Sequence, residues 1–294
     1  MKPSKTVSWL AGLVAVLALI AASAGLFWPA AGAPYTFTAQ HGDVVDIYGQ
    51  GLYAGDSVMK SGATRGTDVV VLVLATPLLV VALARYRRGS TRGALLLAGA
   101  LTFFLYVYAT NAMSVVYNGL FLLYVALFSL SFHAWCLMMT AIQPIVARFP
   151  ASLPYRGMAT FLLLCGLLTG FIWLEPIVGA SLRGTQPDLL DHYTTLVTEA
   201  LDLALIVPGC FLAGVMLWRR DPRGVGVAVP LLVLLLLVGP AVAAMTWFQV
   251  ADGIVFTIPQ IVGPIGGFLV LGVIDIWVLA IVLRAAPGAV ASDK

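Results

Sequence analysis

Apolar residues run along this chain in eight long stretches, roughly 8–28, 68–86, 93–112, 118–140, 157–177, 196–218, 224–246 and 258–284, separated by short polar turns. A hydrocarbon core of about 30 Å takes about 20 helical residues, so each stretch is long enough to cross a membrane. Lipid cannot satisfy exposed backbone groups, which makes each of them a helix. The pattern predicts an all-α membrane protein with eight transmembrane helices. The first stretch, behind Lys2 and Lys5 and ahead of the small residues Ala31 to Ala33, also has features of a secretory signal. Its apolar run exceeds the usual signal core, and it has a counterpart later in the chain, so it is read as a retained helix.

Polar and special residues recur in the same order in the two halves. Pro29-Ala30-Ala31-Gly32-Ala33, placed after helix 1, matches Pro176-Ile177-Val178-Gly179-Ala180, placed after helix 5. Asp68 precedes Pro77 by nine residues, as Glu199 precedes Pro208. Both helices then end in arginine turns, Arg87-Arg88-Gly89 and Arg219-Arg220-Asp221. His133-Ala134-Trp135 pairs with Asp275-Ile276-Trp277, and fifteen residues earlier Asn118 pairs with Gln260. These matches predict two parallel four-helix repeats, residues 1–147 and 148–294, related by an axis along the membrane normal. The first repeat carries an insertion, 34–66. Its alternating Tyr35 to Thr38 and Val44 to Tyr48 predict a β-hairpin, followed by a short interfacial helix over 56–63 capped by Asp56. This insertion is expected to form a small outer lid.

With 61% hydrophobic and only 10% charged residues, the composition excludes a soluble globular protein. Basic residues accumulate in cytoplasmic loops. With the N-terminus inside, Lys2, Lys5, Arg85, Arg87, Arg88, Arg92, Arg148, Arg156, Arg219, Arg220, Arg223, Arg284 and Lys294 all fall on that side. Lys60, Arg65 and Arg183 fall outside, so both termini are expected in the cytoplasm. The outer side is acidic, which tells against an anionic polymer and favours cationic partners. The basic residues are turn clusters that topology alone explains, so no nucleic-acid partner is expected. Cys136, Cys165 and Cys210 lie within predicted helices, which excludes an outer disulfide between them.

Ionisable residues inside a membrane are costly and become the first functional candidates. His133 and Asp275 fall in the inner half at matched places, where they are expected to meet between the repeats as a proton or gating pair, or as a packing contact. Glu199 and Asp202 share a helix face near the outer end, with Glu175 expected at the end of the preceding helix. Together these three carboxylates suit a cation, an organic ammonium group or shared protons, or else serve the dipole at helix ends. Arg65, Thr67 and Asp68 introduce helix 2, Thr67 as its cap and Arg65 as partner to Asp68 or another carboxylate. Asn111 and Asn118 join Tyr106, Tyr108, Tyr117 and Tyr124 in a polar aromatic group between helices 3 and 4. Gly166 and Gly170 fit a close internal helix contact. The sequence has no Cys-x-x-Cys pair, zinc-protease helix or Walker loop, and one intramembrane His cannot supply two haem ligands. No catalytic residue, metal or cofactor is therefore assigned.

Gly51-Leu52-Tyr53 with Asp56-Ser57, Arg65-Gly66-Thr67-Asp68, the run from Tyr117 to Ser131, and Leu201 to Pro208 resemble segments of uncharacterised bacterial multi-pass integral membrane proteins. That resemblance implies a bacterial plasma-membrane setting and no activity. The sequence thus leads to a transporter or permease-like protein for a small or lipidic molecule, proton-coupled if His133 and Asp275 carry protons, with membrane lipids as its surroundings. The alternatives are an enzyme acting on a lipid at the outer leaflet and a structural or accessory subunit.

Overall fold

The computed structural model describes residues 2–288, so Lys294 lies outside the described residues. It contains eight helices long and apolar enough to cross a membrane: α1 (Lys5–Phe27), α2 (Val58–Arg87), α3 (Thr91–Ser114), α4 (Phe121–Val146), α5 (Tyr155–Arg183), α6 (Val197–Trp218), α7 (Arg223–Ala251) and α8 (Ile258–Ala285). Serines begin three of them. Ser4, Ser57 and Ser90 accept a hydrogen bond from the backbone N–H three residues on, satisfying a donor that the first turn leaves free. Left-handed residues stop three helices: Gly89 (φ 77°) after α2, Gly184 (φ 68°) after α5 and Arg220 (φ 57°) after α6.

The centre of the bundle is the pair α3 and α7. Their most apolar windows are each 72% buried, whereas the other spans reach 44% at most, so the remaining helices form the outer layer. α3 packs on α2, α4 and α7, while α7 packs on α2, α3, α6 and α8. Gly62 and Gly66 let α2 lie directly on the α7 backbone; a Cβ at Gly66 would stand 2.6 Å from the Ala244 carbonyl carbon. Gly166 and Gly170 do the same between α5 and α6, facing Cys210 and Val207, so this pair is an internal contact.

The outer layer is unequal. α1 packs on both α2 and α4 and closes the first four helices into a ring. α5 packs on α6, but it has no comparable packing on α8, and the second set of four is left open along that side.

Three wide π-turns interrupt the helices, at Val71–Ala75 in α2, Asp202–Ile206 in α6 and Ile261–Ile265 in α8. Pro77 and Pro208 each follow the start of their π-turn by six residues. Proline has no N–H and its ring crowds the carbonyl four residues back, so widening that turn relieves the clash.

Between α1 and α2, β1 (Tyr35–Thr38) and β2 (Val44–Ile47) pair antiparallel, Tyr35 opposite Ile47 and Thr38 opposite Val44. Three expectations need correction. α2 begins at Val58, ten residues before its apolar run, so no separate interfacial helix exists over 56–63 and Thr67 is no cap. Its first turns carry Ser61, Thr64 and Thr67, which are buried against protein, so their polarity did not exclude them from the bundle. The cap is Ser57, because Asp56 is engaged elsewhere. Finally, α5 continues through Pro176 to Arg183, so Pro176 lies within that helix and not after it.

Candidate functional site

At the hairpin end, α2, α3, α6 and α7 surround a cavity of about 390 Å³, completed by α5, α8 and the chain between α5 and α6. This volume falls in the range of small-molecule sites. The cavity's polar side chains gather at one end, among apolar ones such as Met59, Met113 and Leu196. Lys60, Thr64, Asn111, Thr198, Glu199 and Gln249 line the part near the helix ends, whereas Phe103, Ile206, Leu234, Val238 and Phe268 line the part nearer mid-membrane.

Each polar group is placed by its helix. Lys60, Thr64 and Thr67 recur at helical spacing and present one polar stripe of α2 to the cavity. The Lys60 ammonium donates to Thr198 Oγ1 at 3.4 Å, reaching from α2 to the first turn of α6. Glu199, beside Thr198, is only 8% exposed. Asp202 is equally buried, but both its oxygens are occupied: Tyr106 Oη and Trp173 Nε1 each donate at 2.8 Å, tying α3 and α5 to α6. Asn111 is 5% exposed, and its amide nitrogen has no partner among the described residues.

The roof is the strap over 184–196, which contributes Leu189, Asp191, Tyr193, Thr194 and Thr195 to the lining. It is latched to the start of α2. Tyr193 Oη donates to Asp56 Oδ1 at 2.7 Å, Ser57 Oγ donates to Asp191 Oδ2 at 2.5 Å, and His41 of the hairpin reaches the Asp191 carbonyl at 2.7 Å. Phe37 meets His192 edge-on at 5.9 Å between ring centroids. Asp56 also accepts from the Val116 N–H at 3.0 Å. Burial pushes the Asp56 carboxyl up to about 6 despite these donors, raises that of Asp191, and lowers the His192 imidazole. The residues over the cavity are therefore the strap's. Hairpin residues 35–47 sit above the strap and line none of the cavity.

The expected site residues divide. Glu199, Asp202 and Asn111 line the cavity together. Glu175 does not join them: it is exposed on α5. It is not a helix end, and it stands two residues, about 200° around the helix, from the Trp173 that faces Asp202. Asp68 lies on the far side of α2, fully enclosed, accepting from Tyr53 Oη at 2.6 Å. A Cβ at Gly25 of α1 would stand 2.9 Å from its Cγ, so α1 seals this carboxylate. Asn118 turns its Oδ1 onto the Leu120 N–H at the α3–α4 turn, away from the cavity. Arg65 pairs with Asp252 rather than Asp68, sandwiched between the rings of Tyr48 (4.3 Å) and Phe248 (4.8 Å).

The meeting of His133 and Asp275 does not occur. The buried stripe of α4 runs through Leu127, Ser131, Ala134 and Met138, which leaves His133 on the outer surface, its Nδ1 on the Ser129 carbonyl at 2.7 Å. Asp275 is 0% exposed, and neither of its oxygens has a partner among the described residues. Neither residue lines the cavity.

Lys60, Trp173 and the strap residues Asp191 and Tyr193 escaped the sequence reading as site residues. Lys60 counted there only as an outer-side charge; its four-residue spacing to Thr64 was the available signal. Among the described residues no three His, Cys, Asp or Glu side chains gather as metal ligands. No family model, curated protein or solved structure matches the chain, so the function is argued from this cavity alone.

Proposed function

We propose that the protein takes an amphiphilic small or lipidic molecule into this cavity and moves it across the membrane in the manner of a permease. One observation carries the reading: the cavity is polar at the helix ends and apolar toward mid-membrane, so it complements a molecule with a head and a tail. The weak packing between α5 and α8 gives such a molecule a side entrance from lipid. The π-turns of α6 and α8 lie along the lining, where an altered backbone register gives a helix a place to bend.

In this reading the protein sits in a bacterial plasma membrane. The arginine-rich ends of the helices are cytoplasmic, as are both termini, and the hairpin and strap face outward. The chain arose as two parallel repeats. Matched π-turns before Pro77 and Pro208, in helices that each end at an arginine turn with a left-handed residue, Gly89 or Arg220, support that origin. A second reading rests on the lining stopping short of Asp275: a site open on one side suits an enzyme that binds a lipid headgroup at the outer leaflet.

The test is reconstitution into liposomes with a fluorescently tagged single-chain amphiphile, following its movement between leaflets by quenching from outside. Movement faster than in protein-free liposomes, lost in Val238→Trp, is expected because the indole fills the apolar part of the cavity. Binding without movement would transfer the site to the second reading. Movement no faster than in empty liposomes, with no binding, would remove both.

A further inference from the structure

The polar end of the cavity holds one cation among several carboxylates, and the cation belongs to the protein. Lys60 reaches across from α2 and uses one N–H on Thr198. Asp56 at the start of α2, Asp191 of the strap and Glu199 of α6 are the acidic groups whose fields act on it. No approach of 4.0 Å or less joins Lys60 to any of them, so it is shared rather than paired.

Of these carboxylates, Asp56 and Asp191 already receive hydroxyl donors from Tyr193 and Ser57. Glu199 receives none from any described side chain, only a hydrogen bond from its own backbone N–H, although it is more than nine-tenths buried and lines the cavity. A carboxylate in that position gains most from an ammonium group at hydrogen-bonding distance. The lysine stem is long and flexible, and its charge is a compact point charge like that of an alkyl ammonium ion. The mouth of the cavity is therefore already built for such a group.

Resting on the amphiphile reading above, we propose that this mouth is a subsite for the ammonium group of an alkylamine-like amphiphile. Lys60 is its tethered stand-in, displaced when the ligand's own ammonium reaches Glu199 and Thr198. Lys60 then weakens binding of the cognate class, and removing it exposes the subsite. An ordinary binding lysine would act with the opposite sign, holding an anionic head.

The experiment measures binding of dodecylamine and of dodecyl phosphate to the detergent-solubilised full chain by native mass spectrometry. Lys60→Met is expected to bind dodecylamine about tenfold more tightly than wild type, the worth of one charge-assisted contact. Lys60→Arg is expected to stay near wild type because it restores the stand-in. Adding Glu199→Gln to Lys60→Met should cancel the gain, and Lys60→Met alone should not strengthen dodecyl phosphate binding. Lys60→Gln, closer in polarity, gives the same readout if the methionine variant is not monodisperse. Unchanged or weaker dodecylamine binding in the lysine variants, while Val238→Trp still blocks it, would overturn the stand-in and leave the amphiphile reading standing. Indifference of both probes to Val238→Trp would bring down that reading itself.

Discussion

Raising the pH through 6 is expected to loosen the strap over 184–196, and Asp56→Asn is expected to remove that response. Asp56 has no exposed surface and accepts from Val116 N–H and Tyr193 Oη. Those donors, and the charge of Lys60, favour its carboxylate form, but burial outweighs them and pushes the carboxyl from 3.8 up to about 6. Lifting the strap takes Tyr193 away and lets water reach Asp56, which returns its acidity toward the ordinary value. The docked state therefore binds the proton more tightly than the lifted one. Its advantage is complete below the ordinary carboxyl value and is lost as pH rises through about 6. About two pH units at about 1.4 kcal/mol each set an upper limit of about 3 kcal/mol, or about a hundredfold in the opening equilibrium. Asp191, raised by burial, acts in the same direction. His192, lowered by burial, opposes it in acid, because docking is weakened once the imidazole protonates. The difference between wild type and Asp56→Asn isolates the one group. Hydrogen exchange of strap peptides, followed by mass spectrometry from about pH 5 to about pH 8 and corrected for intrinsic rates, measures it. Across that window protection in wild type should fall toward alkaline pH by about tenfold, the rest of the limit lying below about pH 5, and in Asp56→Asn it should lose most of that slope. An unchanged slope in Asp56→Asn would refute the assignment of the response to this carboxyl.

Arg65→Ala should destabilise the protein by about 2–3 kcal/mol, since it strands Asp252, only 18% exposed, and removes the cation from between Tyr48 and Phe248. Arg65→Lys should recover only part of this, because the guanidinium plane fits between two rings and an ammonium does not; chemical denaturation in detergent reads both. Asp275→Leu should raise the thermal midpoint, because an enclosed carboxyl with no partner among the described residues costs more than an aliphatic side chain of similar size. A lower midpoint would show that Asp275 has a partner in the working protein.

The eight helices were legible because lipid demands long apolar runs, and such runs survive any detail of packing. What the runs concealed was polar surface buried against protein. The first ten residues of α2 read as a separate short interfacial helix and a cap because Ser61, Thr64 and Thr67 interrupt hydropathy, yet these side chains are buried, and Thr64 and Thr67 face the cavity. The candidate site was half legible for the same reason. Glu199 and Asp202 stood out as carboxylates on one helix face. The partners of Asp202, Tyr106 and Trp173, come from other helices, at separations of 96 and 29 residues, which spacing within a helix cannot reveal. His133 misled because depth in the membrane was taken for depth in the protein, while the stripe Leu127, Ser131, Ala134, Met138 puts the histidine on the outside.

The two matched carboxylates show how one ancestral position can serve opposite ends in the duplication reading. Asp68 and Glu199 each stand three residues before a π-turn and nine before a proline. Around Asp68, α1 packs against α2 closely enough that Gly25 leaves no room for a Cβ, and Tyr53 closes the remaining gap with a hydrogen bond. Glu199 instead has no tyrosine donor of that kind among the described side chains, and it lines the cavity. The added methylene of glutamate also carries its carboxylate farther from the helix, toward the cavity rather than into a packed interface. In the proposed permease reading, the half closed by α1 is the fixed wall and the half left open between α5 and α8 is the part that moves. A membrane protein that admits an amphiphile from the side needs that arrangement, because its fixed wall must keep shape while the other parts. The closed half supplies α2 and α3 as that wall, and the mobile partners in this account are α5, α6 and α8, two of which carry π-turns along the lining.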